Sequence, residues 1–372
     1  MSFSKLDSFM KKMPARGIPA CELTVLRHGE QVYRTAVGFA DTEGKRPASP
    51  DDLYWIFSTT KVVTCIAAMR LVEQGVLHLD DPVSRYLPAF SDLKVKQADG
   101  SLAPAKNEMT LLHLFTMTGG LTYDYGNAVK NATDRSTLGM VNEFAKDPLI
   151  FEPGTRYRYS LCHDVLAAVV EVASGMPFSQ YLQQNIFDPL GMKDIGFRPT
   201  EEQEKRFSAM YLGQTACSPP SPTSNKNPYA LTDLFESGGA GLFSSVDEYA
   251  KLLTALSLGG TAKNGYRVLK PETVAMLGEN HLPLAAQNDF VTTRLYGYGW
   301  GLCGRAHMDP TVSLSPTAVG EFGWDGAAGA FALVDPTNQV AVYFGSHVRA
   351  RAYLYHKIHF KLLDLIYEGL EL

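Results

Sequence analysis

The stretch FSTTKVVTCIAAMRLVEQG, residues 57–75, decides how the rest of this chain is interpreted. Its apolar residues recur at helical spacing, at Val62, Ile66, Met69 and Val72. Gly75 is a suitable C-terminal stop, so the pattern predicts that Ser58 opens a buried helix. Lys61 follows Ser58 by three residues and falls on the same helical face. A hydroxyl and an amine can therefore meet there, which is how a serine nucleophile with a lysine base is built.

The surroundings of this Ser-x-x-Lys motif matter because the motif occurs elsewhere in the chain. The other matches begin in a polar amphipathic start or a charged loop, at Ser2, Ser8 and Ser91. Ser58 instead follows the apolar run LYWIF, residues 53–57, and leads into an apolar helix. Burial disfavours the charged form of an amine, so we expect Lys61 to lose its proton near neutral pH and to act as a base.

Composition excludes several classes of protein. The chain has 372 residues, 45% of them hydrophobic and 20% charged, and a net charge of −5, which is typical of a globular protein with two subdomains. A basic excess suited to nucleic acid is absent from the composition. The first residues contain no continuous apolar core of a signal peptide, and no run of about eighteen apolar residues occurs, so we expect a cytoplasmic protein without a membrane partner.

Cysteine and histidine spacing gives no indication of a metal site. The five cysteines are odd in number and scattered without a Cys-x-x-Cys pair, which favours reduced thiols over disulfides. His356 and His359 have the wrong spacing for a His-Glu-x-x-His zinc motif. We therefore expect neither a metal nor an organic cofactor.

The order of patterns along the chain predicts the domain organisation. An amphipathic helix ends near Gly17, and β-rich runs at 20–26 and 31–38 are joined by a short turn, which predicts a hairpin. Residues 76–234 are mainly helix and loop, with a surface excursion at 93–107 and a proline-rich stretch at 214–227 that wraps the surface or covers a cleft. Further β-rich runs lie between 298 and 346, before a closing helix over 353–367. We predict a sheet domain from residues 1–75 and 235–372, and a helical domain from 76–234.

A second candidate site is PGTRYRYSL, residues 153–161, a turn with a tyrosine-rich tip. A phenol is a poor base at its usual pKa of about 10, but cationic neighbours favour the phenolate. Arg156, Arg158 and Lys61 are candidate neighbours for Tyr159. A packed turn with surface tyrosines is the alternative interpretation.

A third candidate site is GEFGWDGAAGA, residues 320–330, where small residues follow a tryptophan. Glycines on a strand let backbone approach a ligand closely, as an oxyanion hole or a substrate-pairing edge requires. Tight packing of a sheet against a helix is the alternative.

Together these motifs resemble those of the serine hydrolases of the class C β-lactamase and penicillin-binding-protein superfamily. The segments LLHLFTMTGGL, residues 111–121, and SGGAGLFSS, residues 237–245, are similar to further segments of that superfamily. The resemblance implies an α+β fold, in which an antiparallel sheet is flanked by helices and a helical domain forms the other wall of a cleft.

The resemblance also implies roles for individual residues. Ser58 would be the nucleophile, Lys61 its base, and Tyr159 the group that shuttles a proton to and from the leaving group. The oxyanion hole would consist of the backbone N–H groups of Ser58 and Ala327, which typically supply a few kcal/mol of transition-state stabilisation.

Two departures from the β-lactamase pattern narrow the expected substrate. The asparagine of the family's Tyr-Ser-Asn motif is replaced by Leu161, and the lysine of its Lys-Thr-Gly motif by Trp324. Both changes make the cleft less polar and less cationic, which suits a neutral ester better than an anionic lactam. The pattern resembles family VIII carboxylesterases. Tyr123 and Tyr125, after a Gly-Gly pair, are further candidates for the pocket wall.

Asp325 is unexpected, because the esterase relatives usually have glycine there. Strand periodicity places it opposite Trp324 and Gly326, which favours a structural salt bridge or cap. The alternative is that its carboxylate borders the cleft and repels anionic substrates.

The sequence thus predicts a serine esterase that hydrolyses small neutral carboxylic esters through an acyl-enzyme on Ser58. A β-lactamase or D-amino-acid peptidase of the same superfamily is one alternative, and an inactive binding or scaffold protein on this fold is another. A histidine-based triad is not expected, because no serine lies in a Gly-x-Ser-x-Gly elbow, and His347 is interpreted as structural. The expected partner is a small-molecule ester or amide, and the oligomeric state is left open.

Overall fold

The computed structural model describes residues 1–213, 218–291 and 295–372. Its strands are β1 (Ala20–Arg27), β2 (Glu30–Gly38), β3 (Tyr54–Trp55), β4 (Lys94–Lys96), β5 (Leu102–Pro104), β6 (Ile195–Gly196), β7 (Tyr211–Leu212), β8 (Ser221–Pro222), β9 (Phe243–Ser244), β10 (Tyr298–Trp300), β11 (Arg305–His307), β12 (Phe322–Gly323), β13 (Phe331–Asp335), β14 (Val340–Ser346) and β15 (Val348–Arg349).

The α-helices are distributed along the whole chain. They are α1 (Ser4–Met10), α2 (Thr60–Glu73), α3 (Leu111–Phe115), α4 (Gly126–Asn131), α5 (Thr137–Phe144), α6 (Cys162–Ser174), α7 (Phe178–Leu182), α8 (Glu201–Glu204), α9 (Val246–Ser257), α10 (Pro271–Leu277), α11 (Leu284–Val291), α12 (Pro310–Ser313) and α13 (His359–Leu370). Single π-helical turns extend α7 at Gln183–Phe187 and precede α13 at Leu354–Ile358.

The main sheet is antiparallel, with the strand order β10-β11-β12-β13-β14-β1-β2. The predicted hairpin of β1 and β2 turns at His28 and Gly29, whose φ angles of 53° and 77° give the strands the twist they need. β1 also pairs with β14, where Cys21 lies opposite Ser346. Strands from the two ends of the chain therefore form one sheet.

Both faces of the main sheet are covered by helices. On β13 and β14, Leu333 and Val342 pack in a buried cluster with Leu362 of α13. The adjacent Ala332 and Tyr343 point to the opposite face, where the Tyr343 ring packs at a tilt against Tyr249 of α9, with ring centroids 4.4 Å apart. This alternation follows from the two-residue period of a strand. The fold is the expected α+β architecture of an antiparallel sheet between helices.

The helix that begins after Ser58 lies between the sheet and the helical part of the chain. α2 packs against α6 and is buried on nearly all sides, from Thr60 through Met69. A helix that is apolar all round belongs in the interior, so its position agrees with its sequence. Gly75 has a φ of 70° and follows the helix end, as predicted.

Some local features go beyond the predictions from the sequence. Residues 93–107 are mostly exposed, in agreement with the predicted surface excursion, and they also form the hairpin of β4 and β5, in which Lys94–Lys96 pairs with Leu102–Pro104 across a turn at Gly100, whose φ is 85°. The sequence did not predict β11 or α11. In the proline-rich stretch, Ser221–Pro222 forms a strand beside β7, while residues 214–217 lie outside the described residues. The division into a sheet domain and a helical domain stays a prediction.

Within the part of the chain that the structure describes, no single helix has both the length and the apolar character of a membrane span. The helices Cys162–Ser174 and Phe178–Phe187 reach the length and apolar character of a membrane span only when they are taken together. The chain bends by 76° at the break between them.

Candidate active site

Ser58 lies in a tight turn that places its side chain at the surface of a cavity. The turn is a 3₁₀ segment, Phe57–Thr59, that runs directly into α2. Phe57 has a φ of 46°, a left-handed conformation that costs a non-glycine residue about 1–2 kcal/mol. Its ring is packed edge-on against Tyr229 at 5.9 Å. Packing thus holds a strained backbone immediately before Ser58, whose exposed fraction is 8%.

The hairpin between β12 and β13 approaches this turn closely. A Cβ atom on Gly326 would lie 2.5 Å from the carbonyl oxygen of Ile56, so only glycine fits there. Within the described ranges, the backbone N–H groups of Ser58 and Ala327 donate no hydrogen bond to the protein. Both residues line the same cavity. Two N–H donors are therefore available at its wall.

Lys61 is fully buried behind Ser58. Its Nζ donates to the Gly239 carbonyl at 2.7 Å and to the Tyr123 hydroxyl at 3.3 Å, and lies 3.5 Å from Ser58 Oγ. The ammonium also lies 4.7 Å from the centroid of the Tyr159 ring. The predicted Ser58–Lys61 proximity is therefore present.

The protonation state of Lys61 differs from the prediction. Burial lowers the pKa of this amine, but Tyr123, Tyr159 and the carboxylate of Asp164 outweigh burial, so the pKa of Lys61 is raised. The expectation that burial alone removes its proton near neutral pH is wrong, because burial comes together with oxygen neighbours that stabilise the ammonium. Lys61 is thus a cation in the resting site.

Asp164 is a functional candidate that the sequence reasoning missed. It is fully buried on α6 and accepts hydrogen bonds from Ser237 Oγ at 2.5 Å, from the Gly239 N–H at 3.2 Å and from the Tyr125 hydroxyl at 3.4 Å. Burial raises the pKa of this carboxyl and Lys61 opposes the rise. The signal in the sequence was an acid inside an otherwise apolar helix, one turn after the tyrosine motif.

The Ser-Gly-Gly segment before β9 is explained by its fit around α6. A Cβ on Gly238 would lie 2.5 Å from both the His163 carbonyl oxygen and the Ala167 side chain, and one on Gly239 would lie 2.6 Å from Asp164 Oδ2. Only glycine lets this backbone reach Asp164 and Lys61 at once.

Tyr159 faces Lys61 and Trp324 together. Trp324 Nε1–H donates to the Tyr159 hydroxyl oxygen at 3.0 Å, and the rings of Tyr159 and Tyr123 stack with centroids 5.6 Å apart. Arg156, a predicted neighbour, instead pairs with Asp289 at 2.6 Å. Negative charge on the Tyr159 oxygen would therefore be stabilised by an indole N–H and the Lys61 ammonium.

A cavity of about 510 Å³ opens in front of these groups. Most of its wall is aromatic, and the lining residues are Ser58, Tyr123, Tyr157, Tyr159, Tyr229, Leu295, Trp324, Asp325, Gly326, Ala327, Tyr355, His356 and Phe360. A larger cavity of about 760 Å³ near Arg16 and Tyr211 contains none of the predicted catalytic residues.

Two predicted pocket residues do not reach this cavity. Leu161 is 2% exposed and precedes α6, with its N–H bonded to the Thr122 carbonyl. Tyr125 turns away toward Asp164 and Phe144. Tyr123, Trp324 and the C-terminal residues form the wall in their place. Of these, the C-terminal residues are Tyr355, His356 and Phe360, and no sequence motif identified them as part of the pocket wall.

Asp325 borders the cavity, but its carboxylate is paired. Its Oδ1 lies 3.6 Å from Arg305 Nη1 and 3.4 Å from His359 Nδ1, and 23% of its side chain is exposed. Burial would raise the pKa of Asp325, but His359 and Arg305 together lower it. The geometry favours the structural salt bridge over the interpretation that a free carboxylate repels anionic substrates.

His347 supports the turn that carries Ser58. It is buried, with Nδ1 2.7 Å from the Ser208 carbonyl oxygen and Nε2 accepting from the Trp55 N–H at 3.3 Å. Burial lowers its pKa to about 4, so it is neutral at pH 7. Its two hydrogen bonds fix the strand before Ser58.

Comparisons with known proteins agree with this fold. The family model described as "Beta-lactamase" matches residues 6–358. Esterase EstB of Burkholderia gladioli is 33% identical over 366 residues, covering 89% of this chain and 87% of EstB. The solved structure of EstCE1, "a hydrolase with promiscuous acyltransferase activity", is 26% identical and superposes with a TM-score of 0.81, covering 98% of each chain.

A more distant neighbour supports the fold alone. Simvastatin synthase (LovD) from Aspergillus terreus is 22% identical, with a TM-score of 0.83 over 99% of this chain and 98% of LovD. The family match spans nearly the whole chain, and EstB and EstCE1 each match most of it. This chain belongs to the Beta-lactamase family and is a serine hydrolase.

Proposed function

We propose that this protein is an esterase that cleaves small neutral carboxylic esters through an acyl-enzyme on Ser58. The observation that carries the proposal is the meeting of Ser58, Lys61 and Tyr159 at an aromatic cavity whose wall also presents the N–H groups of Ser58 and Ala327. The relative EstB is an esterase by name, which supports the proposal.

In the proposed acylation step, Ser58 Oγ attacks the ester carbonyl and forms the new C–O bond. The Ser58 proton passes to Tyr159 in its phenolate form, which becomes a neutral phenol. The Lys61 ammonium and the Trp324 N–H stabilise the phenolate. The carbonyl oxygen becomes an oxyanion held by the N–H groups of Ser58 and Ala327. Collapse breaks the bond to the alkoxide, which takes the proton from Tyr159 and leaves as an alcohol.

Deacylation repeats the same steps with water. Tyr159 accepts a proton from the water that attacks the acyl carbonyl, and then returns a proton to Ser58 Oγ as the acid leaves. Lys61 keeps its proton throughout and acts by charge and position, which is how the raised pKa of Lys61 modifies the role expected from the sequence.

The cavity wall favours neutral substrates over anionic lactams. Its charge-bearing residues are Asp325, which is paired with Arg305 and His359, and His356 at the rim. The lysine that would attract a lactam carboxylate is replaced by Trp324, whose N–H is occupied by Tyr159. Aromatic rings and a volume of about 510 Å³ suit an uncharged ester with a flat or cyclic group.

The test compares a chromogenic butyrate ester with a chromogenic cephalosporin, using wild type and Ser58→Ala. We expect kcat/KM for the ester to exceed that for the lactam, and Ser58→Ala to reduce ester hydrolysis by at least about 10³-fold. A fluorophosphonate probe should label Ser58 in the folded wild type. A lactam rate equal to or above the ester rate would favour the lactamase alternative, and absence of labelling would favour the inactive scaffold.

A second candidate activity is transfer of the acyl group to an alcohol, because the neighbour EstCE1 is described as a hydrolase with promiscuous acyltransferase activity. The specific observation in its favour is the apolar wall, which can hold an alcohol beside the acyl-enzyme. Addition of benzyl alcohol to the butyrate reaction should yield benzyl butyrate in competition with the acid. Butyric acid as the sole product at saturating alcohol would exclude this activity.

A further inference from the structure

The hairpin that carries Ala327 is held from outside through its carbonyl groups. Its own backbone closes with Gly326 N–H to the Ala330 carbonyl at 2.8 Å and Gly329 N–H to the Gly326 carbonyl at 2.9 Å. Ser346 Oγ donates to the Ala328 carbonyl at 2.7 Å. The segment that leads into α13 and the start of α13 supply further side-chain contacts.

Tyr355 contacts the peptide that contains the proposed oxyanion donor. Its hydroxyl donates to the Gly326 carbonyl at 2.8 Å. The Gly326 C=O and the Ala327 N–H belong to one planar trans peptide and point in opposite directions. A hydrogen bond that fixes the carbonyl therefore also fixes the direction of the N–H, and it polarises that N–H as a donor.

Tyr355 is itself suited to donate. Burial raises the pKa of its hydroxyl, so the group keeps its proton at neutral pH. The ring packs edge-on against His359 with centroids 5.4 Å apart. Tyr355 belongs to the π-helical turn before α13, a distortion that is frequent at functional sites.

His359 holds the other end of the hairpin tip. Its Nε2 lies 3.1 Å from the Gly329 carbonyl oxygen, and its Nδ1 lies 3.4 Å from Asp325 Oδ1. Gly329 has a φ of 87° and packs directly against the side chains of Leu354 and Ser346. Tyr355 and His359 thus contact the backbone on both sides of Ala327.

We propose that Tyr355 is a positioning residue for catalysis, which orients the Ala327 N–H through the Gly326–Ala327 peptide, with His359 supporting the same hairpin. The proposal rests on the proposed function, because it assigns the Ala327 N–H to the oxyanion. Neither side chain needs to touch the reacting atoms. Loss of either contact should weaken binding of the transition state and leave ground-state binding nearly unchanged.

The experiment measures kcat, KM and the inhibition constant of an arylboronic acid, which forms a tetrahedral anionic adduct with the serine. We expect Tyr355→Phe to lower kcat about 5–30-fold and to raise the boronate inhibition constant by a similar factor, with KM within about threefold of wild type. Tyr353→Phe is the matched control, because it removes a hydroxyl two residues earlier that contacts Arg16 and not the hairpin. It should leave all three constants unchanged.

Two substitutions of His359 separate an effect on positioning from an effect on general stability. His359→Gln keeps an N–H that can reach the Gly329 carbonyl, whereas His359→Leu does not, so kcat should be higher in the glutamine variant. The proposal is overturned if Tyr355→Phe, folded and labelled at Ser58, keeps kcat and the boronate constant within twofold of wild type. It is also overturned if only melting temperature or KM changes. If a fluorophosphonate fails to label Ser58 in the wild type, the proposed function is refuted, and the positioning role of Tyr355 is refuted with it.

Discussion

Replacing Trp324 by phenylalanine separates two roles that the structure assigns to one side chain. Trp324 forms part of the cavity wall and also donates its indole N–H to the Tyr159 oxygen at 3.0 Å. Phenylalanine keeps an aromatic ring against Tyr159 and Trp300 but removes the donor. The variant therefore tests whether the hydrogen bond to Tyr159 contributes to proton transfer.

The size of the effect follows from the charge that Tyr159 carries during the reaction. A hydrogen bond between neutral groups contributes about 1 kcal/mol, and one to a charged group about 1.5–3 kcal/mol. The Trp324 N–H matters more when Tyr159 is the phenolate that accepts the Ser58 proton. Removing this donor therefore makes the phenolate less accessible by about 0.5–2 kcal/mol. This corresponds to a fall in kcat of about 2–30-fold.

Steady-state hydrolysis of a chromogenic butyrate ester provides the assay. Phe360→Leu is the comparison, because Phe360 lines the same cavity with a side chain that cannot donate a hydrogen bond, and it should change KM more than kcat. The proposed role of Trp324 is refuted if Trp324→Phe, folded as judged by circular dichroism, changes KM alone. A kcat within twofold of wild type refutes it equally.

The other predictions concern residues around the site. Gly239→Ala should lower both kcat and melting temperature, because its Cβ would lie 2.6 Å from Asp164 Oδ2 and displace the carbonyl that binds Lys61; unchanged kinetics would contradict this. Asp325→Asn should reduce the free energy of unfolding in urea without altering the preference between neutral and anionic esters, because its carboxylate faces Arg305 and His359; a shift toward anionic esters would restore the repulsion hypothesis. His347 has its pKa lowered to about 4 in the folded state, so the unfolded state binds more protons below pH 6.5. Its stabilising contribution should fall as pH drops from 6.5 to 4, and the difference in unfolding free energy between wild type and His347→Gln should shrink by about 2–3 kcal/mol over that range. An equal difference at pH 7 and pH 4.5 would show that His347 does not titrate in this way.

Local patterns in the sequence were sufficient to predict the parts of the fold that depend on neighbours in the chain. The hairpin of β1 and β2 follows from two β-rich runs around His28 and Gly29. The helix after Ser58 follows from apolar spacing and Gly75. Such features are determined within a few residues, where turn chemistry and periodicity act directly.

Features that depend on distant residues were not predictable in the same way. Tyr355 and Phe360 reach the cavity only because the last helix packs beside the β12–β13 hairpin, and their sequence resembles any amphipathic helix. The pKa of Lys61 depends on Tyr123, Tyr159 and Asp164, about sixty to a hundred positions away, which together oppose the effect of burial. Leu161 was expected in the pocket from motif position, but its side chain is buried where α6 begins.

The pairing of β1 with β14 also bears on how the protein is made. Cys21 finds its partner Ser346 only after more than three hundred further residues have been synthesised, so β1 has an unpaired edge on the ribosome for most of translation. Contacts of such long range make folding slow. Ser58, Tyr159 and Ala327 can come together only when nearly the whole chain is present. A nascent chain should therefore carry no hydrolytic activity, and its exposed hairpin is the segment we expect chaperones to cover.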